Sequence, residues 1–137
     1  MTKLKQTISA SGAPSGRGPY PQAVRVGSFI FLSGQGPLDP ATDEPISGSF
    51  AQQVRQTFHN VEAILAAAGL GLEHIVKITV YLSDLARIPE FNELYKAHMP
   101  QPWPARTLVQ AGLRQIDVEM DVIAVDPGQA LSGDSKQ

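Results

Sequence analysis

Side chains that could do chemistry are concentrated near the C-terminal end of this sequence. Arg106 lies at the start of a predicted strand. Asp117, Glu119 and Asp121 occupy alternate positions of the strand that follows. The chain contains no cysteine, which excludes disulfides, zinc–thiolate sites and thiol nucleophiles. One arginine and a few carboxylates therefore confine the possible chemistry to a small set.

The histidines and a glycine-rich turn are weaker candidates. His59, His74 and His98 show no metal-ligand spacing, so we expect no metal site. Gly34-Gln35-Gly36 lacks the spacing of a phosphate-binding loop, and Ser33 has neither a nucleophile elbow nor a designated histidine. A turn after a strand is the simplest interpretation of this segment.

The bulk composition indicates one soluble domain. The chain has 137 residues and a net charge of -2, from 11 basic and 13 acidic side chains, which favours neither nucleic acid nor a membrane surface as a partner. No apolar stretch approaches the roughly 20 residues that cross a bilayer, and the N-terminus lacks the apolar core of a signal peptide, so we expect a soluble protein. We predict a single domain over residues 1–126, a disordered tail over residues 127–137, and a cytoplasmic location.

The first half of the chain predicts a hairpin and a helix. Residues 22–26 and 29–33 have the pattern of short strands and are joined tightly at Gly27-Ser28. After a long loop, Ser49 and Gln52 have the spacing of a helix-capping box. Apolar residues then recur at helical spacing as far as a Gly-Leu pair at 69–70, which predicts a helix with a left-handed cap.

Residues 75–82 predict a strand with one strongly apolar face. A period of two places Val76 on that face with the other even-numbered apolar residues. The same period places Ile75 and Tyr81 on the opposite face, away from the helices. We therefore expect the opposite face to mix apolar and polar side chains.

The remaining elements define the fold class. Pro89 suits the first turn of a second helix, which must end before Pro100. Two more strands are expected, near residues 105–110 and 117–125. The order of strands and helices favours an α+β fold of two layers, with one mixed sheet and both helices on the same face.

The last predicted strand exposes a row of acidic residues. Its even-numbered apolar side chains would face the helices, which turns Asp117, Glu119 and Asp121 onto the other face. A solvated face is the simplest explanation, although an open sheet face of mixed character is often covered by self-association. In an oligomer, Arg106 and Glu119 could face one cleft from neighbouring strands or neighbouring chains.

Several short motifs occur along the chain in a specific order and spacing. The motifs are Gly18-Pro19-Tyr20, Phe31-Leu32-Ser33-Gly34-Gln35, the helix through residues 60–69, Ile75-Val76-Lys77, Pro104-Ala105-Arg106 and Val118-Glu119-Met120. Together they closely resemble the RidA/YjgF family over about residues 10–125. The resemblance implies a chorismate-mutase-like fold and a homotrimer with active sites between subunits. It also implies hydrolysis of reactive 2-imino and enamino acids to 2-oxo acids and ammonia, without a cofactor.

The resemblance also implies roles for individual residues. Arg106 matches the arginine that binds the substrate carboxylate, a group to which the guanidinium fork is suited. Glu119 matches the acidic residue that positions or activates water. The other implied substrate-binding positions are Tyr20, Ser33, Gly34, Asn92 and Leu108.

Two departures from the family pattern concern the pocket. Leu108 stands where many members have a cysteine, and the segment between Tyr95 and Pro104 is shortened. Because imine hydrolysis needs no thiol, we expect Leu108 to affect substrate preference or thiol-based regulation rather than the reaction. The shortened segment is expected to reshape the pocket entrance.

Three other functions stay open at the level of sequence. The protein could be a specialised 2-aminomuconate-type deaminase. It could also bind a 2-oxo acid or another small carboxylate through Arg106 as a metabolite sensor, without turnover. Ribonuclease activity finds little support in the charge balance, since phosphate binding depends on Lys and Arg.

Overall fold

The computed structural model describes residues 4–128, and in them a single six-stranded sheet carries two α-helices. The spatial order of the strands is β1-β2-β3-β6-β4-β5, with β4 and β5 parallel and every other neighbouring pair antiparallel. The predicted α+β class and mixed sheet are confirmed. The elements are β1 Gln6–Ile8, β2 Ala23–Val26, β3 Phe29–Leu32, α1 Phe50–Ala67, β4 Ile75–Leu82, α2 Ile88–His98, β5 Ala105–Gln110 and β6 Val118–Val125.

The sequence did not predict β1, a three-residue strand at the edge of the sheet. Its pattern is too short for period-two alternation to be recognised, and its pairing with β2 is what defines it. Residues 129–137, which hold most of the predicted tail, lie outside the described residues. The prediction of disorder there stays a prediction.

The hairpin of β2 and β3 and the long helix α1 form where the sequence predicted them. Gly27 joins β2 and β3 with a φ of 58°, a conformation that glycine adopts without strain. At the start of α1, the Gln52 N–H donates to Ser49 Oγ over 3.2 Å, and the Ser49 N–H donates to Gln52 Oε1 over 2.8 Å. This reciprocal pair is the capping box, and it satisfies two N–H groups that the first helical turn leaves free.

Both helices pack on one face of the sheet. Their apolar stripes and the inward residues of the central strands form one buried cluster, and α1 also contacts α2. The two layers exclude water from a common core, which holds the strands that carry the site in fixed positions. The fully buried members include Val54, Phe58 and Ile64 of α1, Phe91 of α2, Ile78, Val80 and Leu82 of β4, and Val118, Met120 and Val122 of β6.

The predicted faces of β4 are wrong at its first two residues. Ile75 is buried at 5% exposure and Val76 is 45% exposed, the reverse of the alternation read from the sequence. The pairing of β4 with β6 shifts register between Ile75 and Lys77. Such a bulge inserts one residue and exchanges the faces before and after it. From Ile78 onward the predicted alternation holds.

Asp117 does not lie on the open face with Glu119 and Asp121, as the sequence pattern had suggested. It precedes β6, and its carboxylate accepts hydrogen bonds from Gln53 Nε2 at 2.9 Å and from Ser83 Oγ at 2.8 Å. Gln53 belongs to α1, so Asp117 is directed toward the helical layer. These two hydrogen bonds, from Gln53 first and then Ser83, lower the pKa of Asp117.

Two features are absent from residues 4–128. Neither helix there is long and apolar enough to cross a membrane. No group of three His, Asp or Glu side chains in the same range is arranged to hold a metal ion. Two histidines have local partners instead, since His74 Nδ1 accepts the Gly71 N–H and His98 stacks on Phe58.

Candidate active site

Arg106 lies on edge strand β5, on the same side of the sheet as the helices. It pairs in register with buried Ile78 of β4, and its guanidinium carbon is 4.9 Å from the centre of the Tyr95 ring and 5.7 Å from that of Phe91. The residue is exposed, and no carboxylate within residues 4–128 lies within ion-pair distance of it. The donors of this cation are therefore free to bind an anion while the rings hold its plane.

A cleft of about 520 Å³ opens between α2 and the segment before β5, with Arg106 in its wall. This volume is within the range of small-molecule sites. Asn92, which the resemblance implicates, lines the same cleft, so these two predicted site residues are brought together. The full lining is Pro89, Asn92, Glu93, Tyr95, Lys96, Trp103, Pro104 and Arg106.

Tyr95 has a buried hydroxyl without a hydrogen-bond partner. The residue is only 5% exposed, and its oxygen is the one buried side-chain polar atom among the described residues that lacks a partner. Burial raises the pKa of Tyr95, and the positive charge of Arg106 partly opposes that rise. The phenol is thus neutral at physiological pH, and leaving it unpaired costs about 1–3 kcal/mol.

Glu119 lies on the opposite face of the sheet. It is the second residue of β6, opposite Tyr81 of β4, and packs against the backbone at Gly34, where an added Cβ would clash with its Oε2. Burial, and then the negative charge of Asp121, raises the pKa of Glu119. A carboxylate with a raised pKa is a better proton acceptor than one at its ordinary value, which suits a general base.

Tyr20, Ser33 and Gly34 lie on the Glu119 side. Tyr20 is about half exposed and lines a small depression together with Gly34, while any side chain at Gly18 would clash with the Tyr20 ring. Ser33 donates its hydroxyl to the Pro21 carbonyl over 2.8 Å. Because that proton is used, the Ser33 oxygen is an acceptor toward a ligand.

Two buried amides that the sequence reasoning missed hold these loops in place. Asn60 Nδ2 donates to the carbonyl oxygens of Gly36 and Leu38, each over 2.9 Å. The Gln22 amide nitrogen donates to the carbonyl of Pro14 over 2.7 Å, and its oxygen accepts from the Ala10 N–H. Asn60 could have been predicted to have a buried role, because it is a polar residue beside the apolar stripe of α1.

Trp103 was also missed. It is 48% exposed and lines the Arg106 cleft. The sequence did indicate a site residue here. A tryptophan between Pro102 and Pro104 can belong neither to a helix nor to an inner strand, and it lies three residues before the arginine. The Leu108 side chain, in contrast, packs against the core, so any contact with substrate would involve its backbone.

Within one chain the two halves of the predicted site do not meet. Arg106 and Asn92 open toward the helical side at the edge of the sheet, whereas Glu119 with Gly34 lies on the other face, and β4 separates β5 from β6. The alternative of a cleft shared by neighbouring strands is therefore wrong. What remains of that prediction is a cleft formed by two chains.

Comparison with known proteins gives a consistent result. The sequence model described as Endoribonuclease L-PSP matches residues 10–126. A mouse protein named 2-iminobutanoate/2-iminopropanoate deaminase is 37% identical over 124 residues, which are 89% of this chain and 92% of the relative.

Solved structures agree with the sequence matches. RidA from the Antarctic bacterium Psychrobacter superposes with a TM-score of 0.83 at 40% identity, covering 88% of this chain and 98% of the other. TdcF from E. coli, solved with bound serine, superposes with a TM-score of 0.80 at 37% identity and the same coverage.

Proposed function

The chain belongs to the endoribonuclease L-PSP family, which includes RidA and YjgF, and we propose that it hydrolyses reactive 2-imino and enamino acids to 2-oxo acids and ammonia. The observation that carries the proposal is Arg106. This exposed cation has no carboxylate partner among residues 4–128, is backed by two aromatic rings and opens onto a cleft of ligand size. A 2-imino acid brings the planar carboxylate that this group lacks. The name of the mouse relative supports the same reaction.

In the proposed reaction, Arg106 fixes the substrate through its carboxylate, with charge-assisted hydrogen bonds that contribute about 1.5–3 kcal/mol each. Glu119 accepts a proton from water as the oxygen attacks the C=N carbon, and it returns that proton to the nitrogen to give a carbinolamine. Glu119 then transfers the hydroxyl proton of the carbinolamine to the nitrogen, so that the C=O bond forms, the C–N bond breaks and ammonia leaves. Backbone groups near Ser33 and Leu108 orient the nitrogen. No step requires a cofactor.

The separation of Arg106 and Glu119 supports an active site made by two copies of the chain. The face that carries Glu119 also exposes Phe29 and Phe31, which a neighbouring subunit would cover. In this arrangement Arg106 and Asn92 of one subunit meet Tyr20, Gly34 and Glu119 of the next. We propose the homotrimer that the family resemblance implies, with a cytoplasmic location.

The first experiment couples an L-amino acid oxidase to semicarbazide, which traps the released imine. Active protein competes with trapping, so the semicarbazone signal falls with wild type and is restored with Arg106→Ala. Arg55→Ala, which removes an exposed cation of α1 outside the cleft, is the matched control and should behave as wild type. Absence of competition by wild type with any amino acid would reject the hydrolase proposal.

A non-catalytic carboxylate receptor is the second candidate. TdcF holds serine, a molecule with a carboxylate, in its solved structure. Saturable binding of 2-oxobutanoate without any imine turnover would favour this function. Activity on an enamine of aromatic catabolism, but not on amino-acid imines, would instead favour a 2-aminomuconate-type deaminase.

The name of the family also raises the question of ribonuclease activity. The net charge of -2 gives no support for binding a polyanion. RNA cleavage that disappears on further purification would dispose of this alternative.

A further inference from the structure

The Arg106 cleft has an apolar wall that the proposed reaction does not use. Trp103 is the largest side chain of this wall, and Pro89 and Pro104 complete it. A tryptophan that is 48% exposed in a concave site offers a large, rigid apolar surface with few rotatable bonds. Neither proline has an N–H group, so the backbone at these two positions donates no hydrogen bond.

The charges at the rim of the cleft offset one another. Glu93 and Lys96 lie one helical turn apart on α2 and form an ion pair at 3.1 Å. Both side chains are well exposed, so the pair is solvated and presents little net charge to a ligand. Arg106 is thus the one unpaired charge among the residues that line the cleft. A matching ligand has a carboxylate at one end and an apolar group at the other.

The size of the cleft exceeds what a four-carbon acid needs. At about 520 Å³ it lies within the range for sites that enclose drug-sized ligands, in the lower half of that range. We infer that Trp103, Pro89 and Pro104 form a subsite for the substrate side chain, and that the preferred substrates are 2-imino acids with branched aliphatic or aromatic side chains. This inference rests on the proposed function and names its substrate class.

The expected preference follows from burial of apolar atoms. Each methylene group that leaves water strengthens binding by about fourfold when it is fully buried. The acid 4-methyl-2-oxopentanoate has two more carbon atoms than 2-oxobutanoate, and an open cleft buries them in part. We therefore expect it to bind about tenfold more tightly. The acid 2-oxoglutarate is of similar length but should gain nothing, because its second carboxylate would meet the apolar wall.

Trp103 is the only tryptophan in the chain, so its fluorescence reports directly on this cleft. The full-length protein is titrated with the three stable 2-oxo acids, which are products of the proposed reaction. Saturable changes in Trp103 emission, tightest for 4-methyl-2-oxopentanoate, are the expected result. Equal affinity for all three acids, or no saturable change with any of them, overturns the inference.

Variants are compared by calorimetry, because removing Trp103 removes the fluorescence. Trp103→Ala should collapse the roughly tenfold preference for the branched acid toward equality, while Trp103→Phe should keep most of it. Leu85→Ala, which shortens a similarly exposed apolar side chain outside the cleft, should keep all of it. A preference that survives in Trp103→Ala would reject the subsite.

Turnover measured in parallel separates the two hypotheses. If imines are hydrolysed without any preference for larger side chains, the subsite is rejected and the proposed reaction stands. If the three acids bind in the expected order but no imine is hydrolysed, the subsite stands and the reaction is rejected.

Discussion

Subunit complementation tests whether Arg106 and Glu119 act from different chains. Arg106→Ala removes the carboxylate-binding cation, and Glu119→Gln removes the proton acceptor while keeping the size of the side chain. Each variant alone should be inactive. Because the two residues lie on opposite faces of the sheet in one chain, an oligomer that contains both variants can assemble an intact site from the unaltered halves of two neighbours.

The expected recovery can be calculated from the geometry. With equal expression and random assembly into a closed ring, a site takes Arg106 from one chain and Glu119 from the next. Each has a probability of one half of being intact, so about one quarter of wild-type activity should return. If one chain supplied both residues, every site would carry a defect and no activity would return.

The assay is imine competition with semicarbazide on the co-expressed pool. A matched control co-expresses wild type with the double variant Arg106→Ala/Glu119→Gln. Sites built from two chains should again give about one quarter of wild-type activity, whereas sites within one chain should give about one half. An inactive mixed pool together with half activity in the control would refute the two-chain site.

Three further predictions concern single side chains. Arg106→Lys keeps the charge but loses the planar fork, so kcat/KM should fall about tenfold or more in the trapping assay. Its thermal midpoint should change little, since an exposed cation–π contact contributes about 0.5–1 kcal/mol, and unchanged kcat/KM would contradict bidentate binding. Asp121→Asn removes a charge that helps to raise the pKa of Glu119, so the acid limb of the pH–rate profile should move to lower pH. Burial keeps that pKa above its ordinary value, and a limb that moves upward would contradict Glu119 as the base. Gln53→Ala removes two hydrogen bonds of Asp117 and should lower the free energy of unfolding in urea by about 1–3 kcal/mol at neutral pH. The native pKa of Asp117 is lowered, so its stabilising effect is present above the unfolded value of 3.8 and is lost as pH falls through the native value. The deficit should therefore shrink in acid, and a deficit that stays constant with pH would argue against this origin.

Local rules allowed most of the elements to be predicted. Two of these elements depend only on contacts within a few residues, so they can be predicted from the sequence. They are the capping box at Ser49 and Gln52 and the glycine turn at Gly27. The bulge after Ile75 cannot be predicted in this way, because its cause is the register that β4 adopts against β6. The same limit explains Asp117, whose direction is set by Gln53, 64 positions earlier in the chain.

The sequence by itself determined the family and the α+β class, and it supplied the residues that we propose for the site, Arg106 and Glu119 among them. Tertiary structure alone decided how these residues are distributed. The insertion of β4 between β5 and β6 separates the arginine from the glutamate, and the pairing of Arg106 with Ile78 and of Glu119 with Tyr81 places them on opposite faces. The return of the chain after α2 places Trp103 in the arginine cleft. Strand order and the joining of distant segments arise from packing over the whole core, which no local pattern of residues encodes.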